Sequence, residues 1–207
     1  MPTLVIATGN KGKVAEFQTL LAPAGFTLLT PADIGFHGDV DETGTTFVEN
    51  AFLKAQALSA LSPHPVLSDD SGLEVEALGG APGLYSARYA DLESGPQGPW
   101  LDAAGNPLPQ AVANRTKLLK AMEGRPDRRA RFRCVLCYLA PGLPPAFFEG
   151  VCDGEVIEAE RGGGGFGYDP IIVPKGYSQT FAELPGEVKD AISHRGRAVG
   201  LFLKSLQ

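Results

Sequence analysis

Cysteine is scarce in this chain. Three residues in 207 make an odd count, too low for a disulfide scaffold, so the thiols are expected to be reduced and buried as small hydrophobes. Long apolar runs are missing as well. The longest resemble Leu4-Val5-Ile6-Ala7, far below the roughly 20 residues a spanning helix needs, and no membrane association is expected. Met1-Pro2-Thr3 carries no cationic region and the apolar stretch breaks at Thr8-Gly9-Asn10, so no signal peptide is expected and a cytoplasmic location is. Positive charge is in deficit. With 18 Lys and Arg against 24 Asp and Glu the formal charge is -6, the wrong sign for a protein that coats nucleic acid by counterion release. No nucleic-acid partner is expected, and any polyanionic ligand must be small and held by local cations and backbone N–H groups. Glycine (26) and proline (17) are plentiful, which predicts long, shaped loops of the kind that carry sites. The length suits one domain, or one domain with two lobes.

Residues 4–7 predict a buried strand, and Val14, Phe17, Leu20 and Leu21 then recur at helical spacing through 11–22. A second strand is expected over 26–29, an acidic, Gly-containing loop over 35–44, and a helix over 45–61. Thr46 to Glu49 fits a capping box there, and Phe47, Val48, Ala51, Phe52, Ala55 and Leu58 form one apolar face with Asn50 and Lys54 on its flank. Residues 65–68 predict a strand running into Asp69-Asp70-Ser71-Gly72, with a second strand over 73–77 leaving it. A long loop follows over 79–105, then a helix over 110–122. Segments 130–139 and 146–159 alternate around Pro141 to Pro145 and predict a long antiparallel hairpin. A Gly-rich segment, Gly162 to Pro170, leads to a short strand over 171–173. The chain is expected to end in a helix with Ala198, Leu201, Phe202 and Leu206 on one face. This order predicts an α/β fold with mixed strand directions, and two lobes around a cleft would suit it.

Four constellations are candidates for chemistry. Thr8-Gly9-Asn10-Lys11-Gly12-Lys13 lies at a helix mouth, where backbone N–H groups and the dipole favour an anion. It is not a Walker A loop, and a Gly-Asn turn with two solvated lysines reads as well. Asp69-Asp70-Ser71-Gly72, with Glu42 as companion, offers oxygen donors that suit Mg²⁺, but Asp, Ser and Gly are also turn formers. Gly162 to Asp169 contains a formal G-x-G-x-x-G, yet Pro170 and a strand follow where a dinucleotide site needs a helix. Its Phe166 and Tyr168 either stack on a base or anchor the loop. Lys189 and Ser193-His194-Arg195-Gly196-Arg197 place donors at the last helix, as a phosphate or base contact or as a solvated basic turn. Cys134 and Cys137, three apart in a strand, face opposite sides and do not form a zinc pair.

Thr8-Gly9-Asn10 with Lys13, Glu42-Thr43-Gly44 running into Glu49-Asn50-Ala51 and Lys54-Ala55, Asp69 to Leu73, Gly79 to Gly83 with Tyr85 to Tyr89, Gly165 to Pro170, and Ser193 to Gly196 occur in this order. Together they resemble the Ham1/RdgB family of inosine triphosphate pyrophosphatases, also called XTP/dITP diphosphatases, over almost the whole chain. The resemblance implies an ITPase-like α/β fold, with a mixed elongated sheet and flanking helices in two lobes around a substrate cleft. It implies Mg²⁺-assisted hydrolysis of ITP, dITP and XTP to monophosphate and pyrophosphate, and a homodimer. It also implies roles: Thr8, Gly9, Asn10, Lys11, Gly12 and Lys13 hold the triphosphate; Asp70 acts at the metal and as base; Glu42 is a second metal carboxylate; Lys54 and Ser71 contact substrate. Phe166, Gly167, Tyr168, Asp169, Lys189, His194 and Arg195 would enclose and read the base. The stretch 91–109 departs from the family and carries nothing over. A nucleotide-sensing module, a nucleic-acid binder and a pyrophosphatase for another nucleotide remain open readings.

Overall fold

The computed structural model describes residues 2–93 and 100–207, the side chain of Glu93 excepted; residues 94–99 of the variable stretch lie outside the described residues. Six strands form one mixed sheet in the order β2-β1-β3-β4-β5-β6. They are β1 (Thr3–Ala7), β2 (Thr27–Leu29), β3 (Val66–Val75), β4 (Arg129–Leu139), β5 (Ala146–Val156) and β6 (Ile172–Pro174). β1 runs parallel to β2 and β3, and β5 antiparallel to β6. The helices are α1 (Lys11–Leu21), α2 (Phe47–Ser59), α3 (Gln110–Ala121), α4 (Gly186–Ile192) and α5 (His194–Ser205). The chain divides into two compact units: residues 1–71, 133–151 and 190–207, and residues 72–132 and 152–189.

In the first unit, period-two alternation sends Leu4 and Ile6 of β1 into one core with Leu67, Cys134 and Leu136. Phe17 and Leu21 of α1 and Ala198, Val199 and Phe202 of α5 cover that face. Phe202 is its aromatic centre, in contact with Phe26, Tyr138 and Phe148 at centroid distances of 6.3, 5.1 and 5.6 Å. α2 lies against the opposite face, where Ser68 Oγ donates to Ala51 O. Gly150 of β5 allows a close approach to α5, since a Cβ there would stand 2.0 Å from His194 O.

In the second unit two short 3₁₀ helices, joined by a kink at Arg88 (φ -129, ψ 27), span Gly83–Glu93 in the middle of the expected loop over 79–105. They are stabilised from α3. Asn114 Nδ2 donates to Ser86 O and Ala87 O at 3.2 and 3.0 Å, its Oδ1 accepts from Ala90 N at 2.8 Å, and Lys117 Nζ donates to Tyr89 O at 2.8 Å. Side chains here satisfy backbone groups that a 3₁₀ geometry pairs poorly. Phe132 and Phe181 meet edge to face at 5.5 Å in the core of this unit.

Four sequence expectations change. The break at Asp69 to Gly72 is absent, because β3 is one ten-residue strand with both carboxylates inside it. β5 stops at Val156, where Arg128 draws in the carbonyls of Val156 and Ile157 at 2.8 and 2.9 Å. Leu201 and Leu206 are exposed, and the buried face of α5 runs through Arg195, Ala198, Val199 and Phe202 instead. A charged residue on the buried stripe displaced the apolar count. Asn50, expected on a flank, is buried and its Oδ1 accepts from Gly44 N at 2.8 Å.

Candidate active site

β1 delivers the chain to Thr8-Gly9-Asn10, and Asn10 caps α1. Its Oδ1 accepts from Gly12 N and Lys13 N at 2.9 and 3.2 Å, while Thr8 Oγ1 accepts from Asn10 N at 3.2 Å. Two of the helix-mouth amides expected to meet an anion are therefore engaged by the cap. Lys11 is exposed; Lys13 turns inward, and its Nζ forms an ion pair with Asp69 Oδ1 at 2.9 Å.

The pleat of β3 sorts its polar residues. Asp69 and Ser71 share one face, joined by Ser71 Oγ donating to Asp69 Oδ2 at 3.0 Å, while Ser68 and Asp70 turn toward α2. On the Asp69 side the fully buried guanidinium of Arg195 donates through Nη2 to Asp69 Oδ2 at 2.9 Å and to Ser71 Oγ at 3.0 Å, and through Nη1 to Glu16. Burial works against the Asp69 charge, but Lys13, Arg195 and Lys54 outweigh it and hold the carboxyl well below its ordinary range. On the other side Lys54 Nζ, from α2, bridges Asp70 Oδ1 at 2.8 Å and Glu42 Oε1 at 3.0 Å. Burial pushes the Asp70 carboxyl above its ordinary value, against the pull of Lys54. Lys54 is itself disfavoured by burial, yet Asp70, Asp69 and Glu42 together raise its pKa. Asp70 Oδ2 is buried and has no hydrogen-bond partner among the described residues.

α5 starts under tight constraint. Ser193 Oγ accepts from Gly196 N at 3.0 Å, and a Cβ on Gly196 would stand 1.8 Å from Asp190 O, so only glycine lets His194 and Arg195 enter the interior at this turn. His194 is buried like Arg195.

The second unit contributes a separate group. Asp169 Oδ2 accepts from Phe166 N at 2.8 Å and from Lys189 Nζ at 2.6 Å, and Lys189 Nζ lies 4.9 Å from the centroid of the Phe166 ring. Gly165, at φ +68, is required because a Cβ would come within 2.1 Å of that carboxylate oxygen. Tyr168 is buried with its hydroxyl donating to Ser86 O at 2.8 Å, which gives the ring an anchoring place; Phe166 is half-buried.

The structure thus collects Lys13, Glu42, Lys54, Asp70, Ser71 and Arg195 in the first unit and Phe166, Asp169 and Lys189 in the second. Arg195, expected to read a base, has Nη1 and Nη2 engaged by Glu16, Asp69 and Ser71. Asp69, named in the sequence only as part of an oxygen-donor run, pairs with cations instead, and Glu16 is a participant that the sequence reading passed over. The signal for Glu16 was its place one turn after Lys13 on α1; for Asp69 it was the alternation that a turn reading concealed.

The Ham1 family model matches residues 4–205. The chain belongs to the Ham1 family. Curated relatives include the dITP/XTP pyrophosphatase of Bacillus licheniformis, 44% identical over 96% of this chain and 95% of its own length, and that of Geobacillus kaustophilus, 46% identical over 96% and 91%. The solved Ham1 protein of Staphylococcus aureus superposes with a TM-score of 0.80 at 38% identity, covering 99% of this chain and 100% of that one. The mixed α/β sheet with flanking helices is thereby the fold of Ham1 proteins. Among the described residues no helix is long and apolar enough to cross a membrane, and no three His, Cys, Asp or Glu side chains cluster as a metal site.

Proposed function

We propose that this Ham1 protein is a nucleoside triphosphate pyrophosphatase that hydrolyses ITP, dITP and XTP between the α- and β-phosphates, releasing nucleoside monophosphate and pyrophosphate. Its role would be to clear deaminated purine nucleotides before they enter DNA or RNA. The observation that carries this reading is the match, at 44% and 46% identity over nearly the whole chain, to relatives named for dITP and XTP pyrophosphatase activity.

The first unit supports the phosphate chemistry. Phosphoryl-type displacement asks the protein for positioning and charge neutralisation. Thr8 to Lys13 would hold the triphosphate, with Lys54 and Ser71 in contact with substrate. Asp70 would orient the attacking water and take its proton at Oδ2, the buried oxygen that lacks a partner among the described residues; its raised pKa suits a base. Glu42 and Asp70 fit Mg²⁺, a hard cation that takes one or two carboxylates plus substrate phosphates. When bound, Mg²⁺ would neutralise phosphate oxygens. The second unit supports base recognition: the Phe166 ring would stack, and Lys189 would direct a donor at a 6-keto oxygen. A 6-amino purine would oppose donor with donor, a mismatch worth as much as about 10⁴-fold. Action as a homodimer in the cytoplasm belongs to the same proposal.

The test is chromatographic product analysis with ITP, XTP, GTP and ATP, each with Mg²⁺ and with EDTA. Metal-dependent release of monophosphate and pyrophosphate from ITP and XTP, with ATP and GTP nearly inert, is the expected result. Release of diphosphate and phosphate, or turnover of none of the four, would overturn it.

A further inference from the structure

Arg115, on α3, belongs to none of the motif blocks, yet all three guanidinium nitrogens are engaged. Nε and Nη2 donate to the two carboxylate oxygens of Glu160 at 2.8 and 3.0 Å, and Nη1 donates to Gly167 O at 2.8 Å. All three residues lie in the second unit, and the Arg115 side chain is only 11% exposed. Gly167 has φ +60 and no side chain to hold it, so its peptide orientation is set by what grips the carbonyl. On the other side of the same segment Asp169 already ties down Phe166 N and Lys189 Nζ. The Phe166 ring therefore sits between two polar grips, one at its own amide and one at the next carbonyl.

We propose that Arg115, oriented by Glu160, is a positioning residue for base recognition: it acts through Gly167 O to fix the Phe166 ring, and touches no substrate itself. The inference rests on the function proposed above, in which Phe166 meets the base. The fork geometry is essential, because an ammonium can replace the charge but cannot hold a carboxylate with two nitrogens and a carbonyl with the third.

The variants are Arg115→Lys and, approaching the same grip from its more exposed partner, Glu160→Gln. For both, amide hydrogen exchange should quicken across 165–168 while the α1, α5 and β3 segments keep wild-type protection. KM for ITP should rise about tenfold with kcat within twofold, the loss of a charge-assisted hydrogen bond used in binding. Inorganic tripolyphosphate, a competitor that carries the phosphate chain without a base, should keep its inhibition constant within twofold. Unchanged exchange over 165–168 in both variants overturns the proposal, as does a tripolyphosphate constant that rises with KM, or a fall in kcat at constant KM. If the wild-type protein turns over no purine triphosphate, the proposed function falls, while the exchange experiment still decides whether Arg115 holds the segment.

Discussion

Asp69 and Asp70 are neighbours in sequence with opposite electrostatics. Asp69 faces two cations and is held ionised; Asp70 shares one cation with Glu42 and is pushed upward by burial. Removing each charge should therefore have different effects. Asp70→Asn should lower kcat by about 10²–10⁴, the range of a lost general base, with an unchanged circular dichroism spectrum and no loss of thermal stability. Retained turnover would remove Asp70 from the chemistry. Asp69→Asn should instead destabilise by about 3–5 kcal/mol in urea unfolding, because it removes the fully buried one of the two carboxylates that compensate the buried Arg195 and breaks the pair with Lys13. A loss under about 1 kcal/mol would mean that Glu16 alone compensates Arg195. At this scale the sequence was partly legible: Lys13, Lys54, Asp70 and Lys189 stand out as residue types at suggestive places. Asp69 did not, since the same letters that make a buried ion pair also make a turn, and only the strand on either side decides between them.

Among the elements, α5 joins site and core. Its first turn inserts Arg195 into the polar cluster, and two turns later Phe202 closes the apolar one. Phe202→Ala should cost about 3–5 kcal/mol, checked by urea unfolding, since the ring fills space between α1, β4 and β5 that the backbone cannot reclaim. A cost near 1 kcal/mol would show that the cluster collapses around the gap. α2 was legible at its start and in part of its face: Thr46 caps it, accepting from Glu49 N at 3.1 Å, and Glu49 reaches back to Thr45 N, but Val48, expected on the apolar face, is exposed. The kinked pair of 3₁₀ helices over Gly83–Glu93 was not, because its backbone is held by Asn114, more than twenty residues away, and local propensity carries no trace of that. Arg115 escaped for the same reason. Its partners, Glu160 and Gly167, are 45 and 52 residues distant.

For the molecule as a whole, the three cysteines bear out the expected use of thiols as core filling. All are free and buried, and burial pushes Cys134 and Cys137 up to about 12. The unfolded chain gives up these protons near pH 8.5, so between that pH and about 12 the native state binds more protons than the unfolded one and stability falls as pH rises. Urea midpoints should decline from pH 8 to pH 10, and a Cys134→Ala/Cys137→Ala double variant should decline less. A thiol reagent at pH 8 should label the protein only after denaturation.

The alternation along β3 also bears on how this chain can change over evolutionary time. Ser68 to Ser71 place polar groups on two faces of one strand, so substituting one residue alters one face, whereas inserting or deleting one residue exchanges the faces for every residue beyond it. A single deletion here would turn the Lys13 and Arg195 partner toward α2 and the Lys54 partner away from it. The run is thus more tolerant of new letters than of a new length, while the connection at 140–145 between β4 and β5, exposed for most of its course, can lengthen or shorten without moving either carboxylate.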